Sequence, residues 1–108
     1  MARKKKQNFK PQFRSGKTAN NGHPTYIYAR DGDDFYFIGL THSEITEGMK
    51  NILLDANPNP DDSAPSYIRP YSGSSYYKNF GARKKSWSFA HSDKDKVNSV
   101  IKKGKKKK

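Results

Sequence analysis

TYIYARDGDDFYFIGLT, residues 25–41, decides the fold. Residues 25–30 and 34–41 are rich in aromatic and β-branched side chains and flank Asp31-Gly32-Asp33-Asp34. Such side chains fit a pleated, half-buried surface, and an Asp-Gly turn between two such runs is the strongest short-range hairpin signal. The stretch predicts two antiparallel strands. Gly39, inside the second, predicts a bulge or a close backbone approach.

Working outward, HSEITEGMK (42–50) reads as loop or a short helical turn, and NILLD (51–55) as a third strand. Asn57-Pro58-Asn59-Pro60-Asp61-Asp62 cannot continue a helix or a central strand, so it is a loop. Residues 66–71 (SYIRPY) form a fourth strand, with Pro70 placing its end near an edge. Residues 72–86 read as a long polar loop carrying Tyr76, Tyr77 and Phe80, and residues 87–90 as a short strand or packed extended segment. A helix is expected over 93–103. Ser92 suits its N-cap with Asp95 three positions on, Val97, Val100 and Ile101 share one face, and Gly104 is a natural stop. The fold class is mainly β (α+β), with one C-terminal helix.

Charge divides the chain differently. Residues 1–22 carry seven basic side chains and no acid, and residues 102–108 carry six lysines and no acid. Those thirteen exceed the formal net charge of +12, which leaves residues 23–101 with nine basic and ten acidic side chains. The expected organisation is a basic disordered arm (1–22) ending at the Asn20-Asn21-Gly22 turn signal, one small domain (23–101) and a lysine tail (102–108). Tails of this kind bind polyanions without reading sequence. A body of about 80 residues supports only a small core.

The absence of cysteine removes disulfides, thiolate metal sites and a cysteine nucleophile, and fits a reducing compartment. No apolar run approaches the roughly 18 residues of a membrane span, and the basic N-terminus lacks an apolar signal segment. The expected location is cytoplasmic, without membrane association. In a eukaryotic source, the basic run at residues 3–6 also reads as a nuclear-targeting signal.

Inside the body, residues 31–62 hold eight acids against Lys50 alone, whereas residues 63–92 hold Arg69, Lys78, Arg83, Lys84 and Lys85 with no acid. If the fold separates these segments, the body has an acidic and a basic side. Tyr76 and Tyr77 interleave with those cations. Single-stranded nucleic acid needs that combination, since bases stack on aromatic rings while cations hold phosphates. Arg69, Tyr76, Tyr77, Lys78, Arg83, Lys84 and Lys85 are therefore the candidate nucleic-acid-binding residues, with RNA ahead of DNA. Arg69 reads equally as a guard on an edge strand.

Thr41-His42-Ser43, at a strand end, is the most site-like cluster. Histidine moves protons near neutral pH, and hydroxyls bond phosphates or 2′-hydroxyls. If the hairpin forms, His23 lies at the same open end as Thr41 and His42. Two histidines and a nearby cation suffice for RNA cleavage without metal or other cofactor. One takes the 2′-hydroxyl proton, the other protonates the leaving 5′-oxygen, and Arg or Lys stabilises the phosphorane. The catalytic candidates are His23, Thr41 and His42, and the plain alternative is unrelated surface side chains. His91 reads as a linker histidine. Asp31, Asp33 and Asp34, and the Asp61-Asp62 pair, read as solvated loop charges.

Gly22-His23-Pro24-Thr25-Tyr26-Ile27-Tyr28 resembles the G-R-P-x-x-V-I strand of PemK/MazF-like toxins, and Phe37-Ile38-Gly39-Leu40-Thr41-His42-Ser43 is similar to their V-x-P-L-T-S strand. Residues 51–54 and 67–69 sit where the family has its next two strands. Residues 89–101 resemble its closing L-S-x-x-D-x-x-x-V-x-x-x-I helix, with Ser92, Asp95 and Val97 near those places. The resemblance covers about residues 22–101 and implies a small SH3-like, partly open barrel. It implies a metal-independent endoribonuclease acting on single-stranded RNA, a homodimer, and an acidic antitoxin-like protein as partner. The family's Thr is kept as Thr41, while its Arg position holds His23. Two other classes stay open. One is a non-catalytic RNA- or DNA-binding protein of a phage, plasmid or ribosome-associated type. The other is an adaptor or inhibitor whose acidic face, residues 31–62, meets a basic protein.

Overall fold

Eight strands and one helix make up the regular structure of residues 9–105, the part of the chain that the computed structural model describes. They are β1 (Gln12–Gly16), β2 (Pro24–Asp31), β3 (Asp34–Thr41), β4 (Ile45–Thr46), β5 (Met49–Lys50), β6 (Ile52–Leu53), β7 (Tyr67–Tyr76), β8 (Phe80–Arg83) and α1 (Lys94–Lys105). Six strands form one antiparallel sheet in the order β6-β7-β3-β2-β1-β8, and β4 and β5 make a separate small hairpin. The central hairpin forms as expected, with Asp31 opposite Asp34 and two loop residues between them. Gly32 takes the left-handed first loop position (φ +61°), which suits the right-handed twist of the flanking strands. Gly39 fulfils both expectations, since the register of β3 against β7 shifts between Ile38 and Leu40 and a side chain closes on its α-carbon.

β7 ends at Tyr76 and β8 begins at Phe80, yet the two lie four steps apart in the sheet order. Four spacings in a flat sheet are roughly 19 Å. Four consecutive Cα–Cα steps reach at most about 14 Å. The sheet must therefore curl, although β6 and β8 remain edges and no barrel closes. Strand alternation then feeds two cores. Phe13, Ile38, Leu40, Leu54 and Ile68 pack under Val97 and Val100 of α1 on one face. Ala19, Ile27, Phe35 and Phe80 fill the inside of the curl on the other.

Four sequence expectations are corrected. The arm assigned to residues 1–22 contains β1 and a short 3₁₀ turn (Ala19–Gly22), and β1 pairs with both β2 and β8. Phe13 is 5 % exposed within the first core. The folded part thus begins before residue 23, and residues 12–101 carry eleven basic and ten acidic side chains, still near neutral. Residues 1–8 of the arm and 106–108 of the lysine tail lie outside the described residues, and residues 102–105 continue α1. Residues 72–86 are not one loop: β7 runs on to Tyr76, a 3₁₀ turn follows, and β8 pairs with β1. Residues 42–50 hold the β4–β5 hairpin, and residues 87–90 join no strand. No helix among the described residues is long and apolar enough to cross a membrane.

The fourth correction is the helix start. α1 begins at Lys94 and passes Gly104 by one residue, and Ser92 lies in a preceding 3₁₀ turn, where its hydroxyl donates to Asp55 (2.6 Å). Asp93 is fully buried. Its carboxylate accepts from the backbone N–H of Asp55 (2.8 and 2.9 Å) and of Ala56 (3.2 Å), and pairs with Lys96 (3.1 Å). Lys96 also reaches Asp55 (3.0 Å). A carboxylate spent on loop amides, rather than on the helix's own first turn, ties α1 to the segment after β6.

The Ser92 hydroxyl first, then Lys96, hold the Asp55 carboxyl below its usual range, while Asp55 first, then Asp93, hold the Lys96 ammonium above its usual range. A depressed carboxyl contributes stability above its unfolded pKa and loses it as pH falls through the lower folded value. A raised ammonium contributes below its unfolded pKa and loses it as pH rises through the higher folded value. Thermal unfolding of wild type and Lys96→Met should therefore differ by a constant amount between about pH 5 and 9.5, and converge below about pH 4 and above about pH 10.5. A difference that stays constant at both extremes contradicts the clasp.

Candidate functional site

Three consecutive residues after β1, Asn20, Asn21 and Gly22, have left-handed backbones (φ +53°, +51° and +83°). Asparagine tolerates this region better than other non-glycine residues, and glycine adopts it freely. The turn reverses the chain and delivers His23 to the start of β2. His23 is fixed by its backbone, whose N–H donates to Asn20 (2.9 Å) and whose carbonyl accepts from Gly16 (3.0 Å). The Asn20 amide crosses to the hairpin, donating to the carbonyls of Pro24 (2.9 Å) and Leu40 (3.2 Å). It occupies the space beside Gly39, where a β-carbon would fall 2.6 Å from its Oδ1.

Alternation in β3 and β7 builds the floor. Ile38, Leu40 and Ile68 face α1, so Phe37, Gly39 and Thr41 of β3 and Arg69, Tyr71 and Gly73 of β7 face the other way. Together with His23, His42 and the β4–β5 turn they line a cleft of about 430 Å³. The Thr41 hydroxyl accepts from the Ser43 N–H (3.2 Å), which leaves its proton to donate. His42 Nε2 lies 3.2 Å from Asp62 Oδ2, so one ring nitrogen is engaged and Nδ1 is left for a ligand. Asp62 is held below its usual range, by the Ala64 N–H first and by His42 after it. Buried Asn51 secures the adjoining rim by donating to the Ser43 carbonyl (2.9 Å) and the Thr46 hydroxyl (2.8 Å). The left-handed turn at Glu47-Gly48 brings Glu47 to the edge of the same cleft.

Arg69 is the most informative member. It is 7 % exposed, forms no ion pair among the described residues, and its Nε–H has no hydrogen-bond partner. Its guanidinium stacks over the Tyr71 ring at 5.0 Å. A buried cation is normally paired, and a buried unpaired donor costs about 1–3 kcal/mol. An arginine held this way beside a cleft suits an anionic oxygen, and its fork matches phosphate.

The expected residues fall in three places. His23, Thr41, His42 and Arg69 meet in the cleft. Tyr76, Tyr77 and Lys78 lie at the hairpin tip, where the Tyr77 N–H donates to the Asp33 carbonyl (2.7 Å). The acidic turn and part of the basic segment are thus neighbours, so the charges of residues 31–62 and 63–92 do not form two separate sides. Tyr77 is half-buried against Phe35, and Phe80, expected beside the exposed rings, is buried between Phe35 and Phe37 (5.3 Å each). Arg83, Lys84 and Lys85 line another groove. His91 lines neither. Asp62, expected as a solvated loop charge, instead meets His42 and the Ala64 N–H, and Asn20, Glu47 and Tyr71 were not singled out as site residues by the sequence. The Asn-Asn-Gly signal marks a turn but not where its amide lands, and Glu47 and Tyr71 are ordinary loop or strand residues.

No protein family, curated protein or solved structure matches the chain.

Gly39→Ala should expel the Asn20 amide and cost about 1–3 kcal/mol in denaturant unfolding, the value of two neutral hydrogen bonds. Asn20→Ala should cost more, because it also places alanine in the left-handed region, and the double variant no more than Asn20→Ala alone, because both remove one contact. Additive losses contradict the contact.

Proposed function

We propose that the protein binds nucleic acid and cleaves single-stranded RNA in this cleft without a metal, as a PemK/MazF-like endoribonuclease on an SH3-like, partly open barrel. The observation that carries this reading is the buried, unpaired Arg69 lining the same cleft as His23, Thr41 and His42. In the proposed reaction the scissile phosphate sits on the Arg69 guanidinium and the Thr41 hydroxyl. One imidazole takes the proton of the 2′-hydroxyl as its oxygen attacks phosphorus. The other gives a proton to the 5′-oxygen as the P–O5′ bond breaks. The products are a 2′,3′-cyclic phosphate and a free 5′-hydroxyl. Arg69 stabilises the charge that gathers on the phosphorane oxygens from a position its packing on Tyr71 fixes beforehand. Asp62 orients the His42 ring, and Pro24 and the Gly16 hydrogen bond fix His23. A homodimer, an acidic antitoxin-like partner and a cytoplasmic location belong to the same reading.

Incubation with single-stranded RNA in EDTA should give cleavage with cyclic-phosphate ends, and none with the same sequence as DNA. His23→Ala and His42→Ala should each slow cleavage at least about 100-fold, the ordinary contribution of a general acid or base. Arg69→Gln should slow it by about 100- to 1,000-fold. No cleavage at high protein concentration, or equal cleavage by these variants, overturns the reading.

A further inference from the structure

On the α1 side of the sheet, opposite the cleft, lies a groove of about 400 Å³ between β1, the segment at residues 83–89 and the start of α1. Phe13 and Tyr26 form its floor and belong to the first core, whereas the cleft lies on the other face. Arg83, Lys84, Lys85 and Lys94 line the groove and no acidic side chain does. Trp87 stands in its wall, half-buried, with its ring 5.9 Å from Phe13 and the Lys84 ammonium 5.8 Å from its centroid.

This wall is fixed before any ligand arrives. The Lys84 N–H donates to the Phe13 carbonyl (2.7 Å), the Trp87 N–H to the Lys84 carbonyl (3.3 Å), and the Ser88 N–H to the Pro58 carbonyl (3.2 Å). Phe89 packs on Phe13 (4.9 Å) and Tyr26 (4.8 Å), anchoring the other end. The groove therefore offers an anchored aromatic ring in a lining shared with four cations. An acidic peptide supplies negative charge without a flat ring, and an apolar ligand wastes the cations. A single-stranded nucleic acid supplies both an unpaired base to stack and flanking phosphates.

We propose that this groove is a second nucleic-acid site, in which Trp87 stacks one unpaired base and Arg83, Lys84, Lys85 and Lys94 hold the adjoining phosphates. The proposal shares with the preceding one only the class of ligand. Base stacking here needs no chemistry in the cleft, and cleavage there needs no base in the groove.

Trp87 is the single tryptophan of the chain, so tryptophan emission reports on this groove alone. The full chain is titrated at fixed ionic strength with a single-stranded DNA octamer, with inorganic polyphosphate and with polyglutamate. The octamer should quench emission saturably, and the other two should not. Trp87→Leu should weaken binding of a labelled octamer about tenfold by anisotropy, within the range of one stacked base. Lys84→Gln/Lys85→Gln, which keeps the fluorophore, should shift the quenching curve to higher octamer concentration, whereas Arg69→Gln should leave it unchanged. Equal quenching by polyphosphate or polyglutamate makes the groove a site for charge alone or for an acidic protein, and overturns the proposal. Octamer binding without quenching places the ligand elsewhere and also overturns it.

Discussion

Strand β1 lies between β2 and β8, and both faces of the sheet depend on it. Its register sets Phe13 opposite Tyr26 and under the helix, where it touches Tyr26, Trp87 and Phe89. The turn that follows carries Ala19 into the inside of the curl. With β1 removed, β8 loses its partner, Phe80 has no strand to hold it over Phe35 and Phe37, and the chain after β7 has no reason to cross the sheet. A domain this small has few apolar residues to spare, so one strand serves two cores.

That economy shapes the cleft. The turn from β1 to β2 enters left-handed space three times in succession, and the Asn20 amide fills the vacancy at Gly39. The vacancy is useful because only a glycine lets another side chain bridge two strand carbonyls there. His23 is then held by its backbone alone, while the Thr41 hydroxyl is anchored by the Ser43 N–H and the His42 ring by Asp62. Arg69 is different in kind. Its buried, unpaired Nε–H lowers stability, while Asp93, buried more completely, is satisfied by backbone amides and Lys96. Unsatisfied polar groups in an otherwise consistent fold concentrate where function is placed.

The central hairpin and the last helix were legible because their residues carry the period of their structure: alternating aromatics in residues 25–41, and Val97, Val100 and Ile101 on one face. β1 was not, since QFRSG has one apolar side chain in a lysine-rich neighbourhood, and its strand state comes from partners distant in sequence. The second half of β7, SGSSY, is polar for the same reason, being held by pairing with β3 rather than by its own burial. In the cleft, His23, Thr41 and His42 followed from hairpin geometry, whereas Arg69 was legible only as one cation of the acid-free segment 63–92, with nothing in that pattern to bring it to the histidines. Asp62 and Glu47 arrive on loops whose paths no local pattern encodes. Phe80 was misplaced because a Gly/Ser/Lys context hid a core residue, whereas Arg83-Lys84-Lys85 just before Trp87 already put cations near its ring.

In the proposed reaction the Arg69 guanidinium holds the phosphate, and its buried Nε–H reports on that contact. That group gives its own signal in a nitrogen–proton correlation spectrum. Titration of the full chain with a single-stranded RNA oligomer, its 2′-hydroxyls methylated to prevent cleavage, should shift that signal, with the Gly39 and Gly73 amides moving along the same saturation curve. Saturation in which these three stay still, while only lysine-rich ends and the Trp87 groove respond, would contradict a phosphate site in the cleft.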